Sequence, residues 1–162
     1  MFNAEEIFQI AIQIERNGRL FYQRAAELFD GETKRTLLGL ADMEESHERF
    51  FTQLKQALFQ SESAQAIYDP DGEVEKYLAA IAGSHIFDLN QSSEETWEAK
   101  SSIDDILKLA IEREKESVVY YVGLKGIVPE KLGKEKIEDI IKEEMGHIAF
   151  LAKTRLNLKK RE

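Results

Sequence analysis

Two Glu-x-x-His tetrads stand 100 positions apart, Glu44-Glu45-Ser46-His47 and Glu144-Met145-Gly146-His147. On a helix, residues three apart share a face, so each carboxylate and its imidazole can reach the same metal ion. Two further glutamates keep matching distances. Glu15 precedes Glu44 by 29 positions, and Glu114 precedes Glu144 by 30. One such tetrad alone reads most simply as a surface pair, because glutamate is abundant here and mostly solvated in proteins. Two tetrads and two further glutamates at matched depths of four helical segments are a different observation. They form a set of four carboxylates and two imidazoles.

Each of the four segments carries an apolar seam at alternating steps of three and four. The first reads Phe8, Ala11, Glu15, Gly18, Tyr22, Ala25, and the second Leu37, Leu40, Glu44, His47, Phe51, Leu54. The third reads Leu107, Ala110, Glu114, Ser117, Tyr121, Leu124, and the fourth Ile137, Ile140, Glu144, His147, Leu151. A glutamate interrupts every seam near its middle, and the two halves look like a duplication offset by 99 to 100 residues. Four carboxylates in a core would be prohibitively costly if ionised and unpaired. Two divalent cations remove that cost, because four carboxylates carry −4 and two ions carry +4. Glu44 with His47 and Glu144 with His147 would then each fix one ion, while Glu15 and Glu114 bridge or complete the two sites. Mixed carboxylate and imidazole ligation suits iron or manganese. Zinc accepts these ligands but usually takes fewer, and magnesium and calcium prefer oxygen alone.

The elements that must position these groups are long helices. Glu, Lys, Leu, Ala and Gln dominate and there are only two prolines, Pro70 and Pro129, in 162 residues, which predicts an all-α chain. The periodicity predicts helices from about Asn3 to Phe29, Thr33 to Gln60, Ser102 to Val128, and Pro129 or Glu130 to Leu158. Asp30-Gly31 reads as a stop for the first, and Ser102 to Asp105 as a capping box opening the third. Tight connections make the first and second, and the third and fourth, antiparallel neighbours. Between them, about 61–101 is too long for an ordinary loop. It predicts a short helix near Glu73 to Ala82, entered through Asp69-Pro70-Asp71-Gly72, and another turn around Ser93 to Lys100. The whole chain, 1–162, reads as a single domain.

Other residues admit two readings. Tyr22 and Tyr121 each follow a glutamate by seven positions and read either as hydroxyls hydrogen-bonded to a ligand carboxylate or as ordinary core tyrosines. Gly18 and Ser117 leave room for O2 or peroxide beside the metals, or for close helix packing. His85 has no carboxylate at ligand spacing and reads as structural or exposed. Glu45, Glu112, Glu116 and Glu143 point to other faces and read as solvated, although Glu143 or Glu45 could assist a ligand. Trp97 and the pair Phe50-Phe51 read as packing residues.

The chain has no cysteine, which excludes disulfides and thiolate-held metal. Its net charge of −9 argues against nucleic acid as a partner. The amino terminus carries Glu5 and Glu6 where a secretion signal would be basic, and no apolar run reaches the roughly 20 residues a bilayer span requires. A cytoplasmic protein with no membrane partner is the expectation. The surface of such long helices permits a homodimer.

The set resembles the rubrerythrin branch of the ferritin-like superfamily. The resemblance rests on Ala11-Ile12-Gln13-Ile14-Glu15 with Tyr22, on Glu44-Glu45-Ser46-His47, on Ala110-Ile111-Glu112-Arg113-Glu114 with Tyr121, and on Glu144-Met145-Gly146-His147. It implies a ferritin-like antiparallel four-helix bundle with one long crossover between helices two and three. It also implies a centre of two iron ions that passes two electrons to hydrogen peroxide or O2. Such proteins commonly carry a cysteine-ligated rubredoxin-like domain as electron donor, which this chain lacks, so the donor would be a separate rubredoxin-like protein. They also carry an extra glutamate one turn beyond the third-helix ligand, where this chain has Ser117. A non-catalytic iron-storage or metal-buffering module is the alternative expectation.

Overall fold

The computed structural model describes residues 4–59, 69–82 and 102–161. Among them α1 spans Ala4–Ala26, α2 Gly31–Phe59, α3 Glu73–Ala82, α4 Ile103–Ile127 and α5 Lys134–Lys159, with one 3₁₀ turn at Glu130–Leu132. No strand occurs among the described residues. His85, Trp97 and the turn expected around Ser93 to Lys100 lie outside them, as does the rest of the crossover apart from 69–82.

Short connections pair α1 with α2 and α4 with α5 as helical hairpins, and the two hairpins pack into a bundle. One apolar cluster joins Ile7, Phe8 and Ala11 of α1 to Phe51, Leu54 and Leu58 of α2, Tyr121 and Leu124 of α4, and Ile137 and Ile140 of α5. The other joins Phe21, Tyr22 and Ala25 to Leu37 and Leu40, Leu107 and Ala110, and Leu151. The amino-terminal ends of α1 and α5 therefore share one end of the bundle with the carboxyl-terminal ends of α2 and α4. α2 therefore ends at the opposite end of the bundle from where α4 begins. This placement of the helix ends is the one a single long crossover requires. Its helix α3 seals the first cluster through Leu78. Gly123 lets α3 approach α4 closely, since a Cβ there would stand 2.6 Å from the Tyr77 ring.

Local signals explain most of the helix ends. Ser102 caps α4 reciprocally: its Oγ accepts from the Asp105 N–H at 3.1 Å, and Asp105 Oδ2 accepts from the Ser102 N–H at 3.1 Å. Asp69 accepts from the Glu75 N–H at 2.9 Å and so caps α3 across the turn at Gly72, whose φ is +64°. Two expected boundaries are corrected. α1 stops at Ala26 rather than Phe29, because its last carbonyls tighten onto Glu27 and Leu28 in i→i+3 bonds. Gly31, with φ +60°, opens α2 instead of closing α1. At the other hairpin, Gly133 at φ +123° interrupts the segment after Pro129, leaving one 3₁₀ turn, and α5 begins at Lys134.

Candidate metal centre

Between the two apolar clusters lies a polar layer. Glu15 comes from α1, Glu44 and His47 from α2, Glu114 from α4, and Glu144 and His147 from α5. All six are at most 5% exposed. The structure brings every sequence-predicted ligand into one cluster. It resolves into two overlapping groups, Glu15, Glu44, His47 and Glu144, and Glu44, Glu114, Glu144 and His147, whose ligand atoms lie within 4.8 Å of one another.

Glu44 and Glu144 belong to both groups. Glu144 sets Oε1 3.0 Å from His47 Nδ1 and Oε2 2.9 Å from His147 Nδ1. Glu44 sets Oε1 3.2 Å from His147 Nδ1 and Oε2 3.8 Å from His47 Nδ1. Each of these carboxylates thus divides its two oxygens between the two histidines. Glu15 lies only with His47, at 3.3 Å, and Glu114 only with His147, at 3.3 Å. The two imidazoles are nearly parallel, 6.3 Å apart between centroids, and both turn Nδ1 inward.

The tyrosines serve as hydrogen-bond donors, and they do so across the bundle. Tyr22 on α1 donates to Glu114 on α4, and Tyr121 on α4 donates to Glu15 on α1. Burial, reinforced by Glu114 and Glu15 respectively, pushes both phenols well above their usual range, so each keeps the proton it donates. Gly18 is explained by contact rather than by a space for a small molecule: a Cβ there would stand 3.3 Å from the Glu44 carboxylate. Gly18→Ala should therefore have two effects of opposite sign. It removes a helix-interior glycine, worth up to about 1 kcal/mol to the metal-free chain, yet it displaces Glu44 and lowers metal affinity. Thermal unfolding with and without metal reads both.

The electrostatics of the layer follow from four carboxylates sharing a dry site. Burial, then the neighbouring Glu44, holds the Glu15 carboxyl well above its ordinary range. Glu114 is raised by burial and by Glu144 beside it. Burial and Glu15 would raise Glu144 too, but the two histidines and Glu114 overturn this and hold it low. Burial alone would pull His147 down, and Glu114, Glu144 and Glu44 instead raise it to about 12. His47 is raised further by Glu144, Glu15 and Glu44. Without metal, protons thus supply the positive charge that the layer demands. Glu44 Oε1 and both oxygens of Glu144 are buried with no aligned hydrogen-bond partner among the described residues. Such acceptor-rich, under-satisfied atoms fit a pair of cations.

Some surroundings were less legible. Glu112 is exposed and Glu45 partly so, and each is paired, with Lys115 at 2.9 Å and Arg49 at 2.8 Å respectively. Glu116, expected to be solvated, is half-buried, and burial with Glu112 nearby pushes it up to about 7. Glu143 follows the other reading, assistance to a candidate ligand: its Oε2 lies 2.6 Å from His47 Nε2. Ser117 is buried and donates to the Arg113 carbonyl at 3.1 Å.

The chain is similar to known proteins. A family model described as Rubrerythrin matches residues 6–103. Among solved structures, the chain is similar to one described as a ferritin-like diiron-carboxylate protein from Thermotoga maritima, with 26% identity, 95% of each chain covered and a TM-score of 0.66. No curated protein matches.

Proposed function

Because the chain belongs to the rubrerythrin family, we propose that its buried layer holds two iron ions and that it reduces hydrogen peroxide or O2 with electrons from a separate donor. The observation behind this reading is the pair of overlapping groups, each offering three carboxylates and one imidazole. Glu44 and Glu144, which divide their oxygens between the halves, would be shared by the two ions. Glu15 and His47 would complete one site, and Glu114 and His147 the other. When bound, the iron pair would supply two electrons, and solvent two protons, for the reduction of one hydrogen peroxide to two waters.

The remaining work falls to the chain. Tyr22 and Tyr121 fix Glu114 and Glu15 in orientation, so that these carboxylates need not reorganise on metal entry. The apolar clusters on either side keep bulk water from the layer. With no cysteine in the chain, electrons would come from another protein, and a rubredoxin-like partner has the required chemistry.

A second reading, iron holding without turnover, is favoured by Ser117. Its hydroxyl is engaged with its own helix at the Arg113 carbonyl, where the resemblance implies a further carboxylate. Stopped-flow addition of hydrogen peroxide to the di-ferrous protein separates the two readings. Oxidation within seconds, repeated when a reduced donor is supplied and consuming two electrons per peroxide, is the expected result. One slow oxidation without recycling, or with growth of a ferric mineral, would overturn peroxide reduction in favour of the second reading.

A further inference from the structure

The two halves of the layer match in their ligands but differ in what stands behind the histidines. His47 turns Nδ1 toward the carboxylates and points Nε2 at Glu143 Oε2, 2.6 Å away, on α5. The Glu143 side chain is about 38% exposed, so it reaches a 2% exposed imidazole from the surface of the bundle. His147 also turns Nδ1 inward, yet its Nε2 is buried with no hydrogen-bond partner among the described residues. The duplicated register accounts for the difference. Position 43 stands to His147 as position 143 stands to His47, and position 43 is a methionine that packs with apolar neighbours.

An imidazole can ligate through Nδ1 only if that nitrogen is free of its proton, which then resides on Nε2. A carboxylate accepting from Nε2–H holds this tautomer, fixes the ring and makes Nδ1 the better donor. A buried Nε2–H without an acceptor does none of these things and leaves a desolvated donor. We propose that Glu143 is a positioning residue that makes the two metal sites unequal, so that the first ion enters the His47–Glu15 half and the second the His147–Glu114 half. The inference rests on the two-metal reading above and goes beyond it, since equal ligand sets by themselves imply no order of filling.

Zn(II), which is redox-inert, is a suitable probe for the intact metal-free chain. Calorimetric titration should give two ions per chain in two steps. Glu143→Leu should weaken the first step about 10- to 100-fold, the usual cost of losing such a partner, and leave the second unchanged. Glu143→Gln, which keeps an uncharged acceptor, should recover part of the loss. Met43→Glu should strengthen the second step and not the first. With one equivalent of Zn(II), nitrogen NMR of histidine-labelled protein should show ligation at His47 Nδ1 while His147 remains unligated. Two steps in wild type would not suffice, because repulsion between ions splits even equal sites. The proposal is overturned if Glu143→Leu, still folded by circular dichroism and still binding two ions, leaves the first step unmoved, or if the first equivalent distributes over both histidines. Failure to bind two ions in wild type would instead overturn the two-metal reading itself.

Discussion

Replacing Glu144 by alanine should abolish binding of both metal ions, whereas replacing Glu15 should cost only one. The difference follows from geometry rather than from residue type. Glu144 approaches His47 with one oxygen and His147 with the other, at 3.0 and 2.9 Å, and it belongs to both ligand groups. Its loss removes a negative charge and a donor atom from each half at once. Glu15 belongs to one group only, with His47. Losing one of four protein ligands at a site typically costs metal affinity by orders of magnitude, while the other site keeps its full complement. Elemental analysis after anaerobic loading should thus find well under one ion per chain in Glu144→Ala and about one in Glu15→Ala, with Glu114→Ala resembling the latter. Two ions still bound in Glu144→Ala would show that Glu144 is not a shared ligand.

Metal uptake should raise the melting temperature by about 15 to 30 °C and should release protons. A ligand present at 1,000 times its dissociation constant stabilises by about 4 kcal/mol per site, and in a chain of this size each kcal/mol is worth about 2 to 4 °C. The pH dependence has a definite sign. His147 is raised to about 12 from an ordinary value near 6.5, so its contribution to the metal-free fold is full below pH 6.5 and is lost as pH rises toward 12. Glu15 and Glu114 are raised from ordinary carboxylate values, so they oppose the fold increasingly as pH climbs from about 4.5 through their folded values. Both effects make the metal-free chain less stable as pH increases. Metal competes with the same protons, so its affinity increases with pH. The gap between loaded and metal-free melting temperatures should consequently widen from pH 6 to pH 8. A gap that narrows over this range would contradict the protonated state assigned to the metal-free layer.

How much of this was legible in the sequence depends on whether a feature is set within a helix or between helices. The clustering of the six buried side chains was legible because helical register propagates without error over a few turns: a glutamate and a histidine three apart on an apolar seam must face the same interior. The bundle, its two hairpins and the long crossover followed from four seams and their connections. The ends of α1 and α5 were not legible, since they were decided by a tightening last turn and by Gly133, where a Cβ would stand 3.1 Å from the Phe50 ring. The partners of the tyrosines were hidden for a similar reason. Tyr22 lies two turns from Glu15 on its own helix but donates to Glu114 on another. The contact of Glu143 with His47 likewise depends on how α2 and α5 meet, which no spacing along either helix encodes.

The crossed tyrosines bear on how such a chain could arise. Each hairpin supplies a donor for the glutamate of the other and none for its own, so a single hairpin holds half of a mutually completing set. Two identical copies docked about a twofold axis would reproduce all six ligands and both hydrogen bonds with no crossover. Joining the copies in one gene then fixes their stoichiometry and, more consequentially, ends their enforced identity. Met43 where the other half has Glu143, and Gly18 where it has Ser117, are differences that a symmetric ancestor could not have held and that a fused descendant is free to keep.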